Sequence, residues 1–282
     1  VAFFVVPMAA SLWYSLCSYN LINPPRYIGL ENYRYMLLDD PTFWQAVRNT
    51  LWMMAIALPI RLVTALGAAM LLSGAGRSMR WYRTILFLPS MTPPVVGVLA
   101  FSAILTPAGP FNHALGRLGI DGPLWFNDPS WSKWGLVLLG VWGIGDAMVI
   151  YMAGLLSVPR VLYEAATIDG AGALARFRHV TLPMMSPVLF FSLVMGLIGM
   201  SQIFLEGYVA SSVVNGNTGQ LGAPGGSLLF YALKVYVEGF RAFHMGYASA
   251  LGWVLFAFTL LLTLLVLRTS RYWVHYSGAE AR

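Results

Sequence analysis

Six apolar runs, at residues 1–18, 51–72, 84–106, 135–156, 187–209 and 245–267, leave this chain few ways to fold. A bilayer core about 30 Å thick takes roughly 20 apolar residues as a helix. Each run reaches or approaches that length. Backbone amides in lipid must be satisfied within the segment, so helices are expected and open strands are excluded. The composition agrees, with 58% of residues hydrophobic and 10% charged, against about 25% charged in a soluble domain. A disordered chain is excluded, and a soluble globular one is disfavoured. The expectation is an all-α polytopic membrane protein with a single membrane body over 1–282. The numbering opens on Val1, so the first run is read as the cut end of a longer one.

The 17 cations, 15 of them Arg, give a net charge of +6. On a soluble chain that balance would point to nucleic acid. On a membrane chain it sets orientation, so no nucleic-acid partner is expected. Loops 74–83, 157–184 and 268–282 hold Arg77, Arg80, Arg83, Arg160, Arg176, Arg178, Arg268, Arg271 and Arg282. The opposing loops hold Arg26, Arg34, Arg117, Lys133, Lys234 and Arg241. Arg48 sits at a boundary and Arg61 inside a run. The richer side is read as cytoplasmic.

Metal and redox chemistry find little to work with. Cys17 is the single cysteine, and His113, His179, His244 and His275 are scattered with no HExxH. Asp39 and Asp40, the adjacent acidic pair, read as a solvated loop pair. No metal, catalytic residue or cofactor is expected in this chain.

Charges inside apolar runs are more informative. Arg61, Asp146 and Glu206 would each cost about 2.5–3.5 kcal/mol near a bilayer centre, so such residues face a bundle interior or a watery cavity. Asp146 follows Trp142 by four residues, as Glu206 follows Gln202, so each pair is expected on one helix face. An aromatic ring beside a carboxylate or amide suits a polyhydroxylated ligand. The competing reading is structural: Arg61 pairs with Asp146 or with Glu206, and Glu206 faces water. Pro89, Pro93 and Pro94 interrupt the third run, as a hinge or as ordinary membrane prolines. Gly67, Ala68, Ala69, Gly196 and Gly199 allow close helix contact. Outside, the 211–244 segment passes Asn215, Asn217 and a glycine-rich 219–227 stretch. Residues 228–243 then read as an amphipathic helix at the interface or dipping into the bundle. In loop 109–134, Trp125, Phe126, Trp131 and Trp134 read as interfacial anchors.

The most specific segment is 157–184, on the cation-rich side. Pro159 suits a first helical position, and the helix should run through Glu164 to Ile168. Asp169 and Gly170 should break it, Gly accepting positive φ. Asp169 is expected to cap a second short helix reaching Phe177 and Arg178, with Pro183 and Pro187 leading into the fifth run. Ala165, Ala166, Gly170 and Ala171 leave a smooth surface that fits a partner's groove, while Phe177 and Leu182 point back to the bundle. An ordinary helix on the membrane surface is the alternative.

This segment resembles the EAA signature of ABC-importer permeases. Glu164-Ala165-Ala166 is followed by Asp169, Gly170 and Ala171, then by Val180-Thr181-Leu182-Pro183, with Val180 where the family has Ile. Asn49-Thr50-Leu51, Leu88-Pro89 and the stretch from Met245 to Leu251 are also similar to the maltose-type carbohydrate-uptake branch. The chain departs from it where Leu205 follows Phe204, although Tyr208 remains, and in the 219–226 turn. The resemblance implies a six-helix type I ABC importer transmembrane domain with a cytoplasmic coupling-helix loop, in a bacterial inner membrane. It implies a second permease subunit, two cytoplasmic ATPases and an external binding protein. Glu164, Ala165, Ala166, Asp169, Gly170, Ala171, Leu182 and Pro183 would form the coupling surface. Trp142, Asp146, Gln202, Glu206 and Tyr208 are the candidates for the substrate path. The sequence has no GxxxxGK[ST], so ATP hydrolysis is expected on the partners. A sugar or sugar derivative is the implied cargo, with a glycerol-phosphate compound as runner-up. An ion-coupled carrier using Asp146 and Glu206 is a further alternative, and a membrane-embedded enzyme the weakest.

Overall fold

The computed structural model describes residues 2–74, 77–214 and 221–275. Val1, Asn215, Asn217, Gly219 and Arg282, named above, lie outside the described residues. Three helices are long and apolar enough to cross a bilayer unbroken: Phe43–Leu72, Ala173–Ser201 and Met245–Ser270. Two further runs are helix pairs, Met79–Met91 with Pro94–Ile104 and Ser132–Trp142 with Gly145–Ser157. The first run is a 14-residue helix, Ala2–Ser15, shorter than the roughly 20 residues a full crossing takes. A two-residue antiparallel ladder, Cys17–Ser18 against Arg26–Tyr27, follows it.

Prolines account for where the helices depart from the runs. Pro93 restricts Thr92 to extended backbone. The helix Arg77–Phe87 therefore ends in a 3-10 turn, Leu88–Met91, and a new helix starts at Pro94. Pro183 and Pro187 do not open the fifth span as expected; they lie inside Ala173–Ser201. A π-turn, Phe177–Thr181, places Pro183 near the start of the next α-helical stretch, where a missing N–H is tolerated. The same run stops early, at Ser201, and a separate helix, Leu205–Val214, follows.

Packing divides the chain into two compact units. One comprises 1–55, 94–136 and 199–261, the other 56–93, 137–198 and 262–282. The core of the first contains Met36, Phe43, Tyr231, Tyr247, Ala250 and Leu251. Asn49 and Thr50 staple the outer segment to the start of the Phe43–Leu72 helix. Asn49 Nδ2 donates to the carbonyls of Gly226 (2.8 Å) and Leu229 (3.0 Å), and Thr50 Oγ1 accepts from the Tyr231 amide at 2.9 Å.

The helix expected over 228–243 is Tyr231–Tyr236 continued by a π-turn, Val237–Arg241. It dips inward, and Lys234 is 2% exposed. The Lys234 ammonium donates to Asp40 Oδ2 at 2.7 Å, Thr42 Oγ1 at 2.8 Å and Glu238 Oε1 at 3.1 Å. Tyr247 donates its hydroxyl to Asp40 Oδ2 as well. Asp40 is therefore not a solvated loop residue; it is a buried counter-ion. Among the described residues no acidic, His or Cys group is arranged to hold a metal.

Loop 109–134 also differs from expectation. Trp125 and Phe126 are buried, while Trp131 and Trp134 stay exposed. Trp125 Nε1 donates to Asn112 Oδ1 at 3.0 Å, and Asn112 Nδ2 donates to the Pro123 carbonyl at 3.1 Å. Phe126 lies over Gly135, where a Cβ would sit 2.7 Å from the ring. Burial of these two rings thus depends on Asn112 and Gly135, not on a lipid interface.

The second unit packs Ala65, Ala69, Leu72, Ile144, Met148, Tyr151 and Met185. Ala65 and Ala69 are buried in this core. Gly196 allows the close contact expected of it, since a Cβ there would overlap Leu58 Cδ1; Gly67, and Gly199 of the first unit, face open space. Gly145 is required by close approach, since a Cβ would lie 2.6 Å from the Phe87 Cα. Arg83 turns back to the end of the Phe43–Leu72 helix. Its Nε and Nη2 donate to the Leu72 carbonyl at 2.9 and 2.6 Å, and Nη2 to the Gly74 carbonyl at 2.9 Å. The Leu72 carbonyl, at the end of its helix, has no partner within that helix and needs one.

Candidate functional site

The hairpin 157–184 forms within the second unit. Its first helix is Arg160–Ile168, with Pro159 as N-cap. Asp169 is the C-cap of that helix and Gly170 turns the chain at φ +77°. Asp169 does not cap the second arm as expected; Gly172 does. Positive φ at Gly170 redirects the chain for two more residues before Ala173 can start the next helix, so Asp169 is too early to cap it. The arms are tied by Tyr163 Oη and Thr181 Oγ1 at 3.0 Å and by Arg176 Nη1 donating to Thr167 Oγ1 at 3.2 Å. Glu164, Ala165, Asp169 and Gly170 are exposed; Ala166 and Ala171 are half-buried. Beside them, Val161, Ile168 and Leu174 are 67%, 86% and 79% exposed. Leu182 and Pro183 sit at the base, where the second arm becomes the span.

Asp146 and Trp142 do not share a helix face. Ser132–Trp142 ends before Gly143, and Gly145–Ser157 starts a new axis bent by 47°. Asp146 therefore occupies the first turn of a helix, where the dipole favours a carboxylate. Arg61 pairs with it: Nη2 lies 3.1 Å from both carboxylate oxygens. The side chains are 32% and 57% exposed. Charges within spanning segments belong at a bundle interior or a watery cavity and not against lipid. Arg61 Nε has no hydrogen-bond partner among the described residues, so the guanidinium keeps a donor beyond the pair.

In the first unit the second spacing argument also fails, because Gln202 lies in the break between Ala173–Ser201 and Leu205–Val214, and Glu206 lies after it. Gln202 is exposed; Glu206 and Tyr208 are half-buried. Tyr208 joins an aromatic cluster that the sequence reading missed. Its ring centroid is 5.7 Å from those of Phe204 and Tyr236, and Tyr236 stacks on Phe240 at 5.7 Å. The four-residue spacing of Tyr236 and Phe240 within the outer helix was the available signal.

The chain matches the model of the family described as "binding-protein-dependent transport system inner membrane component" over residues 63–275. It is 39% identical over 282 residues to the probable ABC transporter permease protein YesP of Bacillus subtilis, covering 99% of this chain and 89% of that protein. It is 35% identical to the sulfoquinovosyl glycerol transport system permease protein SmoG of Agrobacterium fabrum, over 95% and 85% of the two chains. Its fold is similar to a chain in the crystal structure of a bacterial ABC transporter involved in import of the acidic polysaccharide alginate. That match has a TM-score of 0.79 at 21% identity, covering 96% of this chain and 90% of the other.

Proposed function

The chain belongs to the family of binding-protein-dependent transport system inner membrane components, and from that premise we propose that it is a permease subunit forming half the path for a sugar or sugar derivative. It works with a second permease subunit, two cytoplasmic ATPases and an external binding protein. ATP is hydrolysed on the ATPases, and this chain brings no cofactor of its own. The observation that carries this reading is the hairpin 157–184. A rigid turn at Gly170 with Val161, Ile168 and Leu174 exposed beside it is an apolar surface that suits a partner's groove. The nine cations on its side of the chain support a cytoplasmic position for that hairpin. The sugar class is supported by the 35% identical relative named for sulfoquinovosyl glycerol.

The test is ATP hydrolysis by the purified complex with its binding protein. The panel contains neutral oligosaccharides, sulfonated sugar glycerides and glycerol phosphates. A sugar or sugar derivative should stimulate hydrolysis. No response to any sugar, or uptake that follows a proton gradient while ATP is held constant, overturns the reading.

Asp146 and Gln202 are expected in the path itself. Asp146→Ala should lower uptake about tenfold or more, the effect of losing one hydrogen bond to a charged group. Stability should change by less than about 1 kcal/mol, because the Arg61 pair is open to solvent. Gln202→Ala should act in the same direction. Proteoliposome uptake together with thermal unfolding checks both, and normal uptake in both variants would remove them from the path.

A further inference from the structure

The first unit holds a cavity of about 180 Å³, lined by Ser102, Leu105, Thr106, Phe126, Asn127 and Val213. None of these residues was among the candidates for the substrate path. Ser102 is 5% exposed, and its hydroxyl has no hydrogen-bond partner among the described residues. A buried hydroxyl without a partner is unfavourable, and it marks a place where a polar group from outside belongs. The volume is far above the roughly 10–15 Å³ that one water needs, so a larger ligand fits.

The walls specify its chemistry. Phe126 supplies an apolar ring, held by Gly135 on one side and by the Trp125–Asn112 hydrogen bond next to it in sequence. Thr106 uses its hydroxyl proton on the Ala103 carbonyl at 3.1 Å, which leaves its oxygen as an acceptor. Asn127 sits in the 3-10 turn Trp125–Asn127, fixed by its amide to the Leu124 carbonyl at 2.7 Å. Its side chain adds one acceptor and two donors. Hydroxyls, a carboxamide and an aromatic ring converge here, and among the described residues no ionisable group lines the space.

We infer that this cavity is a binding site for a neutral, hydroxylated small molecule: a polyol or one sugar ring. Ser102 and Asn127 read its hydroxyls, and Phe126 covers its C–H face. The inference deepens the proposed function by fixing the charge class at one site, and it rests on that reading only for the choice of a sugar as ligand.

The test is saturation-transfer NMR on the full-length purified chain, which needs no ATPase and so fails separately from the transport reading. The probes are glycerol, L-arabinose and D-glucose, with glucuronate and glycerol 3-phosphate as charged counterparts. At least one neutral probe should bind, and Ser102→Ala and Asn127→Leu should each weaken it about tenfold, one hydrogen bond's worth. Ser102→Ala should leave the unfolding temperature level or raised, since the hydroxyl it removes has no protein partner. Gly135→Ala, which forces the Phe126 ring to move, should reduce binding as well. The inference is overturned if no neutral probe binds. It is also overturned if charged probes bind as well or better, if detergent tails give the signal in place of sugar, or if the Ser102 and Asn127 variants bind as wild type.

Discussion

Replacing Gly170 with valine is expected to abolish most ligand-stimulated ATP hydrolysis and uptake. The residue turns the hairpin at φ +77° with nothing within 4 Å of a Cβ position. Space is therefore available, and the obstacle is conformational. A left-handed backbone costs an L-residue about 1–2 kcal/mol, more when it is β-branched. The relaxed turn would move Ile168 and Leu174 apart, and both belong to the exposed apolar edge. Losing the centre of an interface costs about 2 kcal/mol or more, roughly thirtyfold in affinity. Gly170→Ala should fall between wild type and Gly170→Val. Co-purification of the ATPase, with stimulated hydrolysis as the second readout, checks the series. If Gly170→Val binds the ATPase and transports as wild type, the hairpin is not the coupling element.

Lys234→Met should have the largest effect on stability. All three ammonium protons meet acceptors, on Asp40, Thr42 and Glu238, and the Lys234 and Asp40 side chains are 2% and 4% exposed. Removing the cation strands Asp40 in a buried site. The expected cost is about 3–5 kcal/mol, a large share of a typical total of about 5–15 kcal/mol. Replacing Lys234, Asp40 and Glu238 together with apolar residues should recover most of it, because the penalty lies in the unpaired charge. Thermal unfolding of the purified chain measures both, and simple additivity of the single effects would contradict the coupling.

The same cluster sets an acid limit. Burial alone would raise the Asp40 carboxyl, but hydrogen bonds from Lys234, Tyr247 and the Thr42 amide, with the Lys234 charge, hold it below its ordinary 3.8. A group depressed in the folded state stabilises fully above its unfolded value and loses that contribution as pH falls through the folded one. The contribution of Asp40 is therefore intact above about pH 4 and declines below it. Unfolding curves across acid pH should show the loss in wild type and lack it in Asp40→Asn.

Local rules made much of this legible. The helix reaching Ile168, the Gly170 turn and the long apolar helices follow from spacing, proline and glycine stereochemistry, and hydropathy. What escaped depends on distant partners. Asp40 and Lys234 lie at opposite ends of the sequence, and neither signals burial by itself. Trp125 and Phe126 look like interface aromatics until Asn112 and Gly135 are placed beside them. The breaks at Gly143 and Gln202 leave hydropathy unchanged, so a four-residue spacing was read across helices that do not continue. Arg61 was legible as half of a pair, and only folding could choose Asp146 for it.

Arg83 has a consequence for how its charge is understood. It was counted among the cations that orient the chain, yet its planar fork also clamps the loose end of the preceding helix. A lysine at this position would preserve the topological vote while surrendering the two-pronged grip. Insertion and folding thus draw on different properties of one side chain, and a conservative-looking exchange would separate them.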